Sequence, residues 1–168
     1  MSALEQLYVD GGCVESNPSP YGITWAWCLI NGEGKLVARD SGLLTIRQIG
    51  LPTGTNNVAE LYAVWRALND RSANWVGTIH TDSLITLRRI TGKNPKFNGV
   101  PNWLIDNVER VKRKQNWDIQ FVKAHPTKSQ LTNGQHENGS PVSRWNCWCD
   151  EECQRLARSF LSKLLATA

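Results

Sequence analysis

At 168 residues the chain is long enough to bury one substantial core and short for two, so residues 1–168 are expected to form one domain. Hydrophobic residues at 40% and charged residues at 20% are ordinary globular usage and exclude a disordered, collagen-like or low-complexity chain; no window approaches the ~18 apolar residues of a membrane span. The net charge of +4 is mild, but it would become a clear basic excess if a cluster of acids were neutralised by bound cations, a balance suited to a polyanionic partner.

The N-terminus, Met1-Ser2-Ala3-Leu4-Glu5, lacks a basic region followed by an apolar one, so a cytoplasmic location is the expectation. Five cysteines, Cys13, Cys28, Cys147, Cys149 and Cys153, are an odd number without a regular framework and suit reduced thiols.

The first strand runs through Leu7-Tyr8-Val9-Asp10, with Leu7 and Val9 on one face and Tyr8 and Asp10 on the other; Gly11-Gly12 is expected to end it in a turn. After the turn-rich Asn17-Pro18-Ser19-Pro20, residues 23–30 alternate large and small side chains, and Asn31-Gly32 closes a hairpin into a third strand over 35–45. Trp25 and Trp27 share a face, where core packing is a commoner use than a base-stacking platform.

A loop with Gly50, Pro52 and Gly54 leads to the capping residues Thr55-Asn56-Asn57 and a helix over 58–68, whose apolar stripe is Leu61, Val64, Trp65 and Leu68. Glu60 borders that stripe. Residues 75–81 read as a fourth strand that ends in Asp82-Ser83 before a helix over 84–90, and a carboxylate at a strand's C-terminal end sits where open α/β sheets place ligands. A basic loop from Gly92 to Pro101 precedes a helix with Leu104, Val108 and Val111 on one side and Arg110, Lys112, Arg113 and Lys114 near its end.

A fifth strand is expected over 118–124, with His125-Pro126 just past it. Residues 126–145 read as a long polar loop without an element of its own, and loops of that length are often functional. The last helix starts near Asn146, with Cys149, Cys153, Leu156, Phe160 and Leu164 as its stripe and Asp150 beside it. The expected fold is thus α/β, a five-stranded mixed sheet of three antiparallel strands and then two in helix-strand alternation, flanked by helices.

Taken singly, Asp10 is a turn residue, Glu60 a helix-edge acid and Asp82 a cap. Together, Tyr8-Val9-Asp10-Gly11-Gly12, Thr55-Asn56-Asn57-Val58-Ala59-Glu60-Leu61, His80-Thr81-Asp82-Ser83, Val122-Lys123-Ala124-His125 and Asn146-Cys147-Trp148-Cys149-Asp150 resemble, in their order and on matching elements, type 1 ribonuclease H and its ribonuclease H-like fold. That resemblance implies an endonuclease that hydrolyses the RNA strand of RNA–DNA hybrids with two Mg2+ ions, Mn2+ being a possible substitute. It further implies that Asp10 bridges both ions, that Glu60 and Asp82 complete the site of the attacking water, and that Asp150 completes the second.

His125 matches the family's histidine that assists proton transfer or product release, with His136 as the other candidate; Asn17, Thr55 and Asn56 match positions that read RNA 2′-hydroxyls and grip a DNA phosphate. The resemblance has two gaps. The segment from His125 to Asp150 is longer than the family's compact loop, and the extended basic helix of many cellular members is missing, so hybrid affinity is expected to rest on Arg88, Arg89, Lys112, Arg113 and Lys114, or on a partner such as a polymerase. A monomer is expected. The competing readings are another nuclease of the superfamily, such as a Holliday junction resolvase, a non-catalytic hybrid-binding module, and a zinc site from Cys147, Cys149 and Cys153 with a histidine.

Overall fold

A computed structural model of the chain describes residues 4–93, 96–135, 139 and 141–168. Five strands form one sheet: β1 (Glu5–Cys13), β2 (Gly22–Ile30), β3 (Leu36–Thr45), β4 (Val76–Thr81) and β5 (Asn116–Phe121). Their order is β3-β2-β1-β4-β5, antiparallel from β3 to β1 and parallel from β1 to β5. The mixed sheet of the expected class is therefore the one observed. Antiparallel neighbours need only hairpins, whereas each parallel step needs a helical crossover, which is why helices enter only after β3.

The period of two divides the side chains between the faces. Leu7, Val9, Ile23, Trp25, Trp27, Leu29, Ile79 and Ile119 point to one side, where α2 (Asn56–Asn69) and α4 (Asn102–Lys114) supply Leu61, Val64, Leu68, Leu104 and Val108. Trp25 and Trp27 are buried there, so both indoles are core. On the other side Ala26, Cys28 and Ile30 pack against Cys149 and Cys153 of α6 (Arg144–Ala166), flanked by Tyr8, Trp145 and Trp148. Helices thus cover both faces, and β2 is buried along its whole length.

Two short helices depart from the expected loops. Residues after β3 form α1 (Ile46–Ile49), and the polar stretch over 126–145 contains α5 (Lys128–Asn133), so that segment is not structureless. Each starts at a threonine in a reciprocal capping box, Thr45 with Gln48 and Thr127 with Gln130, and each stops at a left-handed glycine, Gly50 and Gly134. The remaining helix, α3 (Leu84–Ile90), follows β4 as expected.

Two boundaries also move. The first strand does not end at the glycine pair: Gly11 and Gly12 lie within β1, opposite Trp25 and Thr24 of β2. The fifth strand starts and ends earlier, because its pairing with β4 finishes at Thr81 opposite Phe121, and Lys123 then donates its N–H to the Pro141 carbonyl instead. Among the described residues no helix is long and apolar enough to cross a membrane.

Candidate active site

Four elements bring their acids to one end of the sheet. Asp10 stands on β1, Asp82 just past β4, Glu60 in the second turn of α2 and Asp150 in the second turn of α6. All four line one cavity of about 360 Å³, with Gly11, Gly12, Asn56, His125 and Gln154 among its other walls. Asp10, Glu60 and Asp82 each offer a carboxylate oxygen within 4.8 Å of the other two.

The approach of Glu60 depends on Gly11. A Cβ at residue 11 would lie 2.3 Å from the Ala59 carbonyl carbon and 2.5 Å from the Glu60 nitrogen, so the missing side chain lets the α2 backbone rest on β1. The pair was expected to end β1 in a turn; Gly11 instead leaves room for a helix. Gly12 faces the Thr24 hydroxyl and Cys153.

Asp10 and Glu60 are only 4% and 8% exposed, and one oxygen of Glu60, Oε2, is buried with no hydrogen-bond partner. Burial raises the proton affinity of Asp10 well above the ordinary carboxylate range, with the Asp82 charge adding to it. Glu60 is raised likewise, by burial first and then by the charges of Asp10 and Asp82. Asp82 is raised by burial, which outweighs the amide of Asn146 that favours its ionised form. Such a cluster is electrostatically incomplete, and cations between the acids would relieve it.

α6 contributes more than an acid. Asn146, Asp150 and Gln154 stand at successive intervals of four residues, hence on one stripe of the helix. Asn146 Nδ2 donates to Asp82 Oδ2 (3.4 Å) and Gln154 Nε2 to Asp150 Oδ2 (3.0 Å). His125, in a left-handed backbone conformation (φ 50°) and with a side chain 74% exposed, places Nδ1 at 3.4 Å from the same Asp150 oxygen. The structure thus joins His125 to the acids, while the other candidate, His136, lies outside the described residues. Asn146 and Gln154 were given no role from sequence, although their spacing about Asp150 was the signal.

Asn17, Thr55 and Asn56 come together at the start of α2, and of the three only Asn56 lines the cavity. Asn17 Oδ1 accepts from the Asn56 N–H (3.1 Å), and Thr55 Oγ1 accepts from the Val58 N–H (3.3 Å) as the α2 cap. Thr55→Ala is expected to lower stability by about 1 kcal/mol in urea unfolding through loss of that cap, and Thr55→Ser to retain it.

Arg88, Arg89, Lys112, Arg113 and Lys114 do not line this cavity. Arg89 is buried and spends its guanidinium on the carbonyls of Lys96 and Asn98, bracing the loop before α4. Lys112, Arg113 and Lys114 end α4 at the opposite end of the sheet, where the neighbouring Gln115 is tied to the carbonyls of Leu68 and Ser72, roughly 12 Å or more along α2 from Glu60.

Cys28, Cys149 and Cys153 are core thiols, while Cys13 and Cys147 are only partly buried. Cys149 donates to the Tyr8 carbonyl (3.6 Å), Cys153 donates to that of Asp10 (3.7 Å), and Cys28 and Cys149 lie 3.9 Å apart. Burial pushes the Cys149 and Cys153 thiols up, away from the thiolate that zinc requires, and His125 faces Asp150 instead of them.

Residues 3–140 match the family model described as RNase H. A ribonuclease H of Ehrlichia ruminantium (strain Gardel) is 34% identical over 113 residues, 66% of this chain and 67% of that protein. Among solved structures, an N-terminal RNase H domain from Mycobacterium tuberculosis, studied as a fusion with maltose-binding protein, superposes with a TM-score of 0.69 at 13% identity, covering 97% of this chain and 99% of that one. LC11-RNase H1 in complex with an RNA/DNA hybrid gives 0.65 at 17% identity (94% and 99%), and RNase H1 of Halobacterium salinarum NRC-1 gives 0.60 at 21% (73% and 87%). The family match stops before α6, so the place of Asp150 in the site rests on geometry.

Proposed function

This chain belongs to the ribonuclease H family, and from that premise we propose that it hydrolyses the RNA strand of RNA–DNA hybrids with two divalent cations, Mg2+ by preference and Mn2+ as a substitute. The observation that carries this reading is the convergence of Asp10, Glu60, Asp82 and Asp150 on one cavity around an unpartnered buried oxygen of Glu60. A structural relative bound to an RNA/DNA hybrid supports the substrate class.

The donor set suits hard cations. Every group offered is a carboxylate oxygen, and the unsatisfied Glu60 Oε2 lacks only an electropositive neighbour. Asp10, Glu60, Asp82 and Asp150 would hold the cations. When bound, such ions supply an activated water and neutralise charge at a phosphodiester.

The protein's own part is to position and select. Asn146 and Gln154 orient Asp82 and Asp150 through their amides. Asn17, Thr55 and Asn56 sit where amides and a hydroxyl could meet 2′-hydroxyls, the groups that separate RNA from DNA. His125, its side chain mostly in solvent and beside Asp150, would carry a proton between Nδ1 and bulk water. The experiment is cleavage of end-labelled RNA–DNA hybrid, duplex DNA and a four-way junction, each with Mg2+ and with chelator. Cutting of the hybrid's RNA strand alone, abolished by chelator, is the expected result; cutting of the junction alone would overturn it.

A further inference from the structure

Asp150 differs from the other three acids. Its side chain is 26% exposed, and it lies outside the trio whose oxygens fall within 4.8 Å. What meets it is a donor one helical turn onward, Gln154 Nε2 at 3.0 Å from Oδ2, and His125 Nδ1 at 3.4 Å from that same oxygen. Among the described residues no donor meets Oδ1. Both Asp150 and Gln154 line the cavity.

Resting on the function proposed above, we propose that Gln154 is a positioning residue: its amide pins Oδ2 of Asp150 so that Oδ1 stays turned into the cavity, and it thereby sets the affinity of the cation site that Asp150 completes. The chemistry favours an amide here. A neutral donor restrains a carboxylate without cancelling its charge, whereas a lysine or arginine would compete with the cation for it. Asn146 does the same for Asp82 from the preceding turn of α6, so one helical stripe restrains two of the four acids.

Magnitudes separate this role from a structural one. A pair of this kind at i, i+4 on a helix surface contributes only about 0.2–0.5 kcal/mol to stability, while losing an outer partner of a metal ligand typically costs 10–100-fold in metal affinity. The test is Mn2+ binding to the free protein by titration calorimetry, paired with Mg2+ titration of hybrid cleavage, for wild type, Gln154→Leu and Gln154→Asn, whose shorter arm keeps the amide but loses the reach. Both variants are expected to bind one cation about 10-fold more weakly and to need correspondingly more Mg2+ for half-maximal cleavage. Their thermal midpoints should stay within about 2 °C of wild type. Wild-type binding and activation in Gln154→Leu would overturn the role of Gln154 alone. A wild-type protein that binds no divalent cation would overturn it together with the function on which it rests.

Discussion

Asp10→Asn is expected to abolish hybrid cleavage while making the metal-free protein more stable. The loss should exceed the roughly 10–100-fold typical of an outer partner of a metal ligand, because Asp10 is itself one of the acids that would hold the cations. The gain in stability follows from the raised proton affinities of Asp10, Glu60 and Asp82. An acid whose folded pKa lies above its unfolded value of about 4 contributes most to stability below that value, and the contribution is lost as pH rises through the folded pKa. At neutral pH these acids therefore work against folding when no cation is present. Removing one charge, and giving Glu60 an amide donor as a neighbour, relieves the other two.

The same sign yields a pH dependence. Without metal the thermal midpoint of the wild type should rise as pH falls from about 8 to about 6.5, below which partly buried His80, its pKa pushed down to about 4, takes stability away as the unfolded imidazole gains its proton; saturating Mg2+ should raise the midpoint at the upper end and flatten the profile. Asp10→Asn should show a higher metal-free midpoint at neutral pH, by a few degrees at roughly 2–4 °C per kcal/mol, with a shallower slope. Scanning calorimetry with chelator and with Mg2+ measures both. A variant that cuts as fast as wild type would show the metal chemistry to be wrong, and a metal-free midpoint indifferent to pH would show the acids not to be strained.

Much of this site was legible in the sequence because each acid is tied to an element with a clear pattern. Asp10 is tied to a strand by the alternation of its neighbours, Asp82 to the end of the next, and Glu60 and Asp150 to helices by three- and four-residue periodicity. α1 and α5 escaped that reading because helices of four and six residues are too short for an apolar stripe. Their signal was chemical: threonine, then glutamine three residues on, then glycine. The basic residues were harder to place for a different reason. A charge run looks the same whether it faces substrate, solvent or a loop carbonyl, and only the tertiary fold turns Arg89 inward to Lys96 and Asn98 and carries Lys112, Arg113 and Lys114 to the far end of the sheet.

The glycine pair was the subtlest misreading, and it carries the largest expected effect on stability. In Gly11→Ala the new methyl would stand 2.3 Å from the Ala59 carbonyl carbon and 2.5 Å from both the Ala59 oxygen and the Glu60 nitrogen. These are backbone atoms within a helix, so no rotamer change can clear them; α2 must lift from β1, opening the face packed by Leu61 and Val64. The expected cost is about 3 kcal/mol or more, at the upper end of overpacking effects. The midpoint should then fall by roughly 6–12 °C. Because the clash falls on the peptide that carries Glu60, activity should fall even in the folded fraction, by about 10²-fold for a displacement near 1 Å. Gly12→Ala is the control, since its methyl would meet side-chain atoms, Thr24 Oγ1 at 2.9 Å and Cys153 Cβ at 3.6 Å, which can move. Urea unfolding, with cleavage measured well below each midpoint, should rank Gly11→Ala far below Gly12→Ala in both. Equal and mild effects would mean that α2 does not rest on β1 as described, and that Glu60 reaches Asp10 by another route.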